Sequence, residues 1–346
     1  MIKEILNNLA KNEDLDFEQA EKVFEQIFDS KLSHVQIAAF LVALKMKGES
    51  EAEIAAAATV VRKRAKKLNR GSSFMQFDPD KPIFDTCGTG GSNLNKFNVS
   101  SATAFIVAAS GVCVAKHGNK AISSNCGSAD VLERLGIDIN SPLGLMQESL
   151  NSLGIAFLYA PLYHPALGAV AKIRKELGVR TIFNILGPLC NPAMATHQLL
   201  GVYSKELVLP LARVLRILGT KKAFVVNGKD VGDEISLTGT TYVGCLKGRK
   251  ITSFRLNPSD FGLKKINIKD IMVRDCDDSA SVVRNILEGR KGAARDIVLA
   301  NASACFCLLD KVKDLKEGVR LASLLIDEGK AREVLVNFKK FLKENA

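Results

Sequence analysis

From residue 82 onward the chain alternates short runs rich in Val, Ile and Phe with longer segments of helical periodicity. This alternation constrains the fold more than any other feature. Strands are expected over 82–86, 111–115, 155–159, 198–203, 222–227, 240–247 and 250–256. Helices are expected over 100–109, 128–135, 143–153, 165–177, 205–218, 279–290, 293–309, 314–328 and 331–343. Such alternation builds a mostly parallel sheet flanked by helices, the α/β class. Ligands on these sheets gather beyond the carboxyl ends of the strands, so the residues that follow each strand carry the functional argument.

Residues 1–70 follow a different pattern. Ile2, Ile5, Leu6 and Leu9 recur at helical spacing, as do Ala20, Val23, Phe24, Ile27 and Phe28. A third helix runs from Ser33 with Ile37, Phe40, Leu41 and Leu44. A fourth starts at Ser50 with Glu53 at the capping-box position. Short turns between them imply a small helical domain. The stretch 71–81, with GSS and DPDKP, reads as a linker. A length of 346 residues fits two domains, here 1–70 and 71–346.

The first strand runs into DTCGTGGSNLNKFNVSS, residues 85–101. Gly88, Gly90 and Gly91 let the backbone turn sharply and close its N–H groups on an anion. The helix beginning after Asn98 offers unpaired N–H groups and a positive dipole end to the same anion. Ser100 and Ser101 suit an N-cap and can also donate to phosphate or ligate a cation. The Walker pattern is absent, because no Lys followed by Ser or Thr comes after the last glycine. G-x-G-x-x-G fails at Asn93. The expected anion is therefore neither a Walker-bound nucleotide nor a dinucleotide.

Two further strand ends are polar. Residues 115–130, AKHGNKAISSNCGSAD, place Lys116, His117, Asn119, Lys120, Ser123, Ser124 and Ser128 around two glycines, which fits a second phosphate arm as well as a capped helix with a solvated loop. Asp233 and Glu234 are adjacent carboxylates after a buried strand. Mg²⁺ shared with substrate phosphates would relieve their repulsion; a solvated acidic turn is the alternative. His164 precedes a helix that carries Lys172, Arg174 and Lys175, and nothing local distinguishes one of those cations as functional. Residues 184–192 read as a rigid, nonregular loop.

The net charge of +11 favours anionic ligands and permits nucleic-acid contact, but the basic residues are scattered and Trp is absent. The densest run, Arg62 to Lys67, fits a solvated helix face. The eight cysteines contain no C-x-x-C pair, which argues against a zinc or redox site. They read as small buried hydrophobes with reduced thiols. No secretory signal and no membrane-spanning apolar run is present, so a cytoplasmic location is expected.

Together these segments resemble the anthranilate phosphoribosyltransferase family over nearly the whole chain. The residues that carry the resemblance are GTGG (88–91), NVSS (98–101), KHGNKAISS (116–124), GSADVLERLG (127–136), HPA (164–166), VRTIFNILGPLCNP (179–192), DEIS (233–236), DFGL (260–263) and SHVQIAAFLVALKMKGES (33–50). The resemblance implies transfer of the phosphoribosyl group of phosphoribosyl pyrophosphate (PRPP) to the amine of anthranilate, in tryptophan biosynthesis. It implies a helical domain, joined by helices from about 164–185 and hinged to a large α/β domain, and a homodimer formed through the helical domain. It assigns PRPP binding to Gly88, Gly91, Ser92, Lys96, Asn98, Val99, Ser100, Ser101, Lys116, Ser123, Ser124 and Ser128. Anthranilate binding falls to Gly88, His117, Asn119, His164, Arg174 and Pro188, with Lys116 and Arg174 as the catalytic pair. Two Mg²⁺ ions, brought in with PRPP, would engage Ser100, Asp233 and Glu234. Three positions depart from the family pattern: Ser92 stands for Asp, Lys96 for a small hydroxyl residue, and Cys126 for Ser. A pyrimidine nucleoside phosphorylase and a nucleic-acid-binding relative that has lost catalysis are the alternatives on this fold.

Overall fold

The structure, a computed structural model, describes residues 1–68, 81–91, 94–121 and 126–345. Four helices open the chain: α1 Ile2–Ala10, α2 Phe17–Phe28, α3 His34–Lys47 and α4 Glu51–Arg64. The last three begin on reciprocal capping boxes, Asp16 with Gln19, Ser33 with Gln36 and Ser50 with Glu53. Each box pairs N–H groups that a helix start leaves orphaned. Glu53 is fully buried. Its carboxylate accepts from the Leu15 and Ser50 N–H groups at 2.9 and 2.7 Å and from Lys47 Nζ at 3.0 Å. A buried charge is tolerated because it is paired and hydrogen-bonded.

The α/β part contains β1 Ile83–Gly88, α5 Val99–Ala109, β2 Cys113–Gly118, α6 Ser128–Arg134, α7 Leu143–Leu153, β3 Ile155–Tyr159, α8 Ala160–Tyr163, α9 Gly168–Leu177, α10 Phe183–Leu186, β4 His197–Gly201, α11 Val208–Ile217, β5 Lys222–Gly228, β6 Thr241–Lys247 and β7 Lys250–Leu256. Four helices close the chain: α12 Cys276–Leu287, α13 Ala293–Leu308, α14 Leu315–Asp327 and α15 Lys330–Asn345. The strands form one sheet in the order β3-β2-β1-β4-β5-β6-β7. The first five are parallel and the last two join antiparallel. Successive strand residues face opposite sides. Leu199, Phe224 and Val226 therefore enter a core with α5–α7 and α12–α15, whereas Leu200, Ala223 and Val225 enter a second core. That second core is continuous with α1–α4, so the helical domain packs on one side of the sheet along with α9–α11. Arg62 ties the two parts together, donating to the Leu189 and Leu218 carbonyls at 2.6 and 3.0 Å.

Several element boundaries differ from the sequence expectation. The strand expected to end at 115 continues to Gly118, because Lys116 and His117 pair with Phe157 and Leu158 on β3. The helix expected over 165–177 starts with a 3₁₀ turn, Pro165–Leu167, where Pro165 occupies an opening position. The segment expected to be nonregular holds α10 and a 3₁₀ turn, Gly187–Leu189. The expected linker lies almost wholly outside the described residues.

The structure also corrects the reading of all cysteines as reduced. Cys126 and Cys276 form a disulfide across 150 residues of sequence. It joins the loop before α6 to the first residue of α12. Six free cysteines remain. Alkylation of the unfolded chain without reductant should modify those six, and all eight after reduction, counted by intact mass. Eight modified cysteines without reductant would refute the bond.

Asp85 is a charged residue in the middle of an apolar strand and is fully buried. Its carboxylate accepts from the His117 N–H at 3.2 Å and from Gln198 Nε2 at 3.4 Å. Burial pushes its carboxyl up from the usual range, and the neighbouring Lys116 ammonium opposes that. Burial pushes Lys116 down, and Asp85 opposes that in turn. Removing one of two such buried charges costs about 3 kcal/mol or more, because the other is left uncompensated. Asp85→Ala should therefore lower the unfolding free energy by about that amount in a urea titration. A loss below about 1 kcal/mol would show that the two charges are independent.

Candidate active site

β1 and β4 are parallel neighbours, but their connections leave in opposite directions. β1 continues to α5 on one face of the sheet and β4 to α11 on the other. This is the point in an open parallel sheet where a crevice forms beyond the strand ends. The last residues of the two strands, Gly88 and Gly201, are paired in register. A Cβ at Gly88 would lie 2.5 Å from Asp233 Oδ2, and a Cβ at Gly201 would run into the Asp233 main chain. Two bare glycines thus let the segment carrying Asp233 and Glu234 lie across the strand ends. Gly90 and Gly91 turn away from the strand at φ +65° and +77°, backbone that favours glycine.

A cavity of about 300 Å³ opens there. Gly88, Gly91, Lys96, Asn98, Ser100, Lys116, His117, Asn119 and Ser128 line it, together with His164, Arg174, Pro188, Asp233 and Glu234. Most residues assigned from sequence therefore converge from segments far apart in the chain. Val99 and Ser101 are the exceptions among the described residues. Their side chains are buried away from the lining, and the Val99 N–H is taken by the Phe97 carbonyl at 2.9 Å. Ser92, Ser123 and Ser124 lie outside the described residues.

α5 starts at Val99, so Asn98 is its N-cap residue and Ser100 and Ser101 sit inside the first turn rather than capping it. No side chain caps this helix from the N-cap position. Asn98 is turned to Ser279, accepting from its hydroxyl at 3.0 Å. The Glu234 carboxylate instead accepts the Ser100 N–H from across the crevice. A negative charge there complements the positive end of the helix. Burial raises the Glu234 carboxyl to about 7, against the pull of Lys96 and Lys116. Lys116 Nζ donates to the Thr86 carbonyl at 2.6 Å and to Ser100 Oγ at 3.1 Å, which fixes an ammonium beside the helix start.

The opposite wall is aromatic and neutral. Burial, with His164 next, pushes His117 down to about 3, and burial pushes His164 down to about 4. Both rings are uncharged near pH 7. They meet edge to face with centroids 5.1 Å apart. His117 Nδ1 faces the Gly187 carbonyl at 3.0 Å, so the neutral ring carries its proton there and Nε2 is an acceptor. That Nε2 is buried and has no partner among the described residues. Arg174 completes this wall. Lys172 and Lys175 on the same helix are exposed, whereas Arg174 is half-buried, with its guanidinium 5.4 Å from the Phe183 ring centroid. It makes no ion pair with any described residue. Burial pushes its pKa down from the usual range.

Some supporting residues were not singled out from sequence. Arg180 Nη2 donates to the Gly91 carbonyl at 2.5 Å, and its guanidinium lies 4.6 Å from the Tyr203 ring centroid, which pins the glycine turn. Gln198 Nε2 donates to the Pro188 carbonyl at 2.6 Å, and Asn191 Nδ2 to the Ala115 carbonyl at 2.8 Å. These bonds hold the 3₁₀ turn against the sheet. Asp85 carried a readable signal, a carboxylate within an apolar strand. Gln198 and Arg180 carried none.

Comparison with known proteins matches both domains. Residues 3–65 match the glycosyl transferase family, helical bundle domain, and residues 80–332 match the glycosyl transferase family, a/b domain. The anthranilate phosphoribosyltransferase of Petrotoga mobilis is 43% identical over 345 residues, covering 99% of this chain and 98% of the relative. The crystal structure of the Thermus thermophilus anthranilate phosphoribosyltransferase superposes with a TM-score of 0.89 at 38% identity, over 98% of this chain and 99% of that one. The Saccharomyces cerevisiae enzyme, solved in complex with PRPP and Mg, gives 0.86 at 28% identity over 99% and 98%. With both domains and nearly the full length matched, the chain belongs to the anthranilate phosphoribosyltransferase family.

Proposed function

We propose that this protein transfers the phosphoribosyl group of PRPP to the amine of anthranilate, releasing pyrophosphate, in tryptophan biosynthesis. The observation that carries this reading is Arg174: a half-buried guanidinium without a carboxylate partner among the described residues, facing the same cavity as a helix start that suits an anion. A planar fork of donors fits the carboxylate of an aromatic acid. Phe183, His117 and His164 offer the apolar and edge contacts that a ring needs. On the other side, the N–H groups of the glycine turn, the start of α5 and Lys116 suit a sugar diphosphate.

The reaction is a displacement at the anomeric carbon. Negative charge grows on the departing diphosphate, and the preorganised donors of the glycine turn and Lys116 stabilise it there. Arg174 holds the acceptor so that its amine faces the sugar, and positioning supplies much of the rate. An aromatic amine keeps a usable lone pair at neutral pH, so no base is assigned, in keeping with two neutral histidines that face each other. The donor set suits magnesium: Glu234 and the Ser100 hydroxyl are hard oxygen ligands, and too few for an all-protein cage. Mg²⁺ carried in with PRPP would supply further charge neutralisation on the leaving group.

The reading also takes 1–70, joined by 164–185, as the helical domain, and 71–346 as the PRPP-binding domain. Its support is the packing of α9 against α2 and α3, and of α10 against α4. A homodimer through the helical domain is supported by Val35 and Met46 on α3, which are 79% and 82% exposed. A single sedimenting species of monomer mass at micromolar concentration would end the dimer reading. The activity is tested by following pyrophosphate release with anthranilate, PRPP and Mg²⁺, each omitted in turn. Release that persists without anthranilate would refute the transfer. Arg174→Ala should raise KM for anthranilate by ~10-fold or more, the scale of a lost charge-assisted pair, and leave that for PRPP nearly unchanged. Equal effects on both would remove Arg174 from the acceptor site.

A further inference from the structure

Asp233 and Glu234 are neighbours over the strand ends, both buried, yet their surroundings differ. Asp233 is already satisfied on both oxygens. The Lys96 ammonium forms a close ion pair with Oδ1, and the Gly90 N–H donates to Oδ2 at 2.9 Å. The Lys96 side chain is only 9% exposed, and its ammonium also donates to the Val231 carbonyl at 3.2 Å. Its backbone is held as firmly. Lys96 forms an isolated bridge with Met272, flanked by Phe97 N–H to Ile271 O at 3.2 Å and Val273 N–H to Asn95 O at 2.7 Å. This is a cation built into the crevice, not a surface lysine that reaches over it. Glu234 has no ion pair among the described residues; it accepts the Ser100 backbone N–H and feels the Lys96 and Lys116 ammoniums without pairing with either.

A magnesium ion needs near-octahedral oxygen ligation at about 2.0–2.1 Å. To reach Asp233 it would have to displace the ammonium and leave it buried without its partner, or share the carboxylate with that like charge in a buried site, and both are unfavourable. The Glu234 side of the pair carries no such obstacle. We infer that Lys96 is a tethered cation that occupies the Asp233 half of the acidic pair, so that PRPP enters with one divalent ion, on Glu234 and Ser100, rather than two. The inference rests on the PRPP reading given above and deepens it. It departs from the expectation of two ions with Asp233 as a ligand. In this role Lys96 is a positioning residue: it neutralises Asp233 and holds that carboxylate against the Gly90 turn.

Equilibrium dialysis with Mn²⁺ and labelled PRPP, in the absence of anthranilate, counts metal per bound PRPP without turnover. The wild-type chain should retain about one Mn²⁺ per PRPP, the number of open carboxylates. Lys96→Thr and Lys96→Met should each roughly double that count, because Asp233 is freed. Two ions on the wild-type protein would overturn the inference by themselves, whether or not the variants fold. An unchanged count in either variant with a cooperative thermal transition would also overturn it. If PRPP failed to bind the wild-type protein with or without Mn²⁺, the PRPP reading itself would fall, and this inference with it.

Discussion

The close approach of one acidic segment to the ends of two strands governs everything else in this molecule. Gly88 and Gly201 close β1 and β4 side by side without a Cβ between them, and the main chain at Asp233 occupies the space. Any larger residue at Gly201 would push that segment away from the crevice. With it in place, negative charge lies over the switch point, and each cation nearby has a defined reason to be there. Lys96 meets Asp233, and the start of α5 meets Glu234. Lys116 is held between the Thr86 carbonyl, the Ser100 hydroxyl and the field of Asp85. The crevice is therefore an interleaving of positive and negative groups, which lets buried charges coexist at all.

The two faces of the sheet divide the labour. One core, with α5–α7 and α12–α15, holds α5 and its first turn. The other core is continuous with the N-terminal helices and carries α9 and α10, hence Arg174, Phe183 and the turn at Pro188. On the proposed reading, the acceptor wall belongs to the helical side and the donor wall to the other, and both line the one cavity. The hydrogen bonds from Gln198 and Asn191 to the Pro188 and Ala115 carbonyls brace that meeting. Without the first, the buried Pro188 carbonyl of the 3₁₀ turn would lack its donor at a cost of about 1–3 kcal/mol; without the second, Asn191 would lose its anchor on β2.

Much of this was legible in the linear chain. The helical N-terminus, its capping box at Ser50, and the α/β alternation all follow from spacing and residue type, whereas the boxes at Asp16 and Ser33 were not read there. The glycine turn after β1 and the polar start of α5 are local patterns too. Boundaries slipped where pairing with a distant strand overrode local preference, as when β2 took in Lys116 and His117. The disulfide between Cys126 and Cys276 had no local signal, since neither cysteine belongs to a spaced pair. Arg174 looked like Lys172 and Lys175 until the fold turned one of the three inward over Phe183.

The amino-acid sequence by itself determined the class of fold, the order of its elements and the kind of ligand its strand ends could hold. These depend on periodicity and on residues a few positions apart. Tertiary structure alone decided which charges meet. Asp233 faces Lys96 across 137 positions, and Asp85 takes the His117 N–H across 32. Such pairings are set by the register of strands and the packing of helices, and the energy of a buried charge depends on what surrounds it in space.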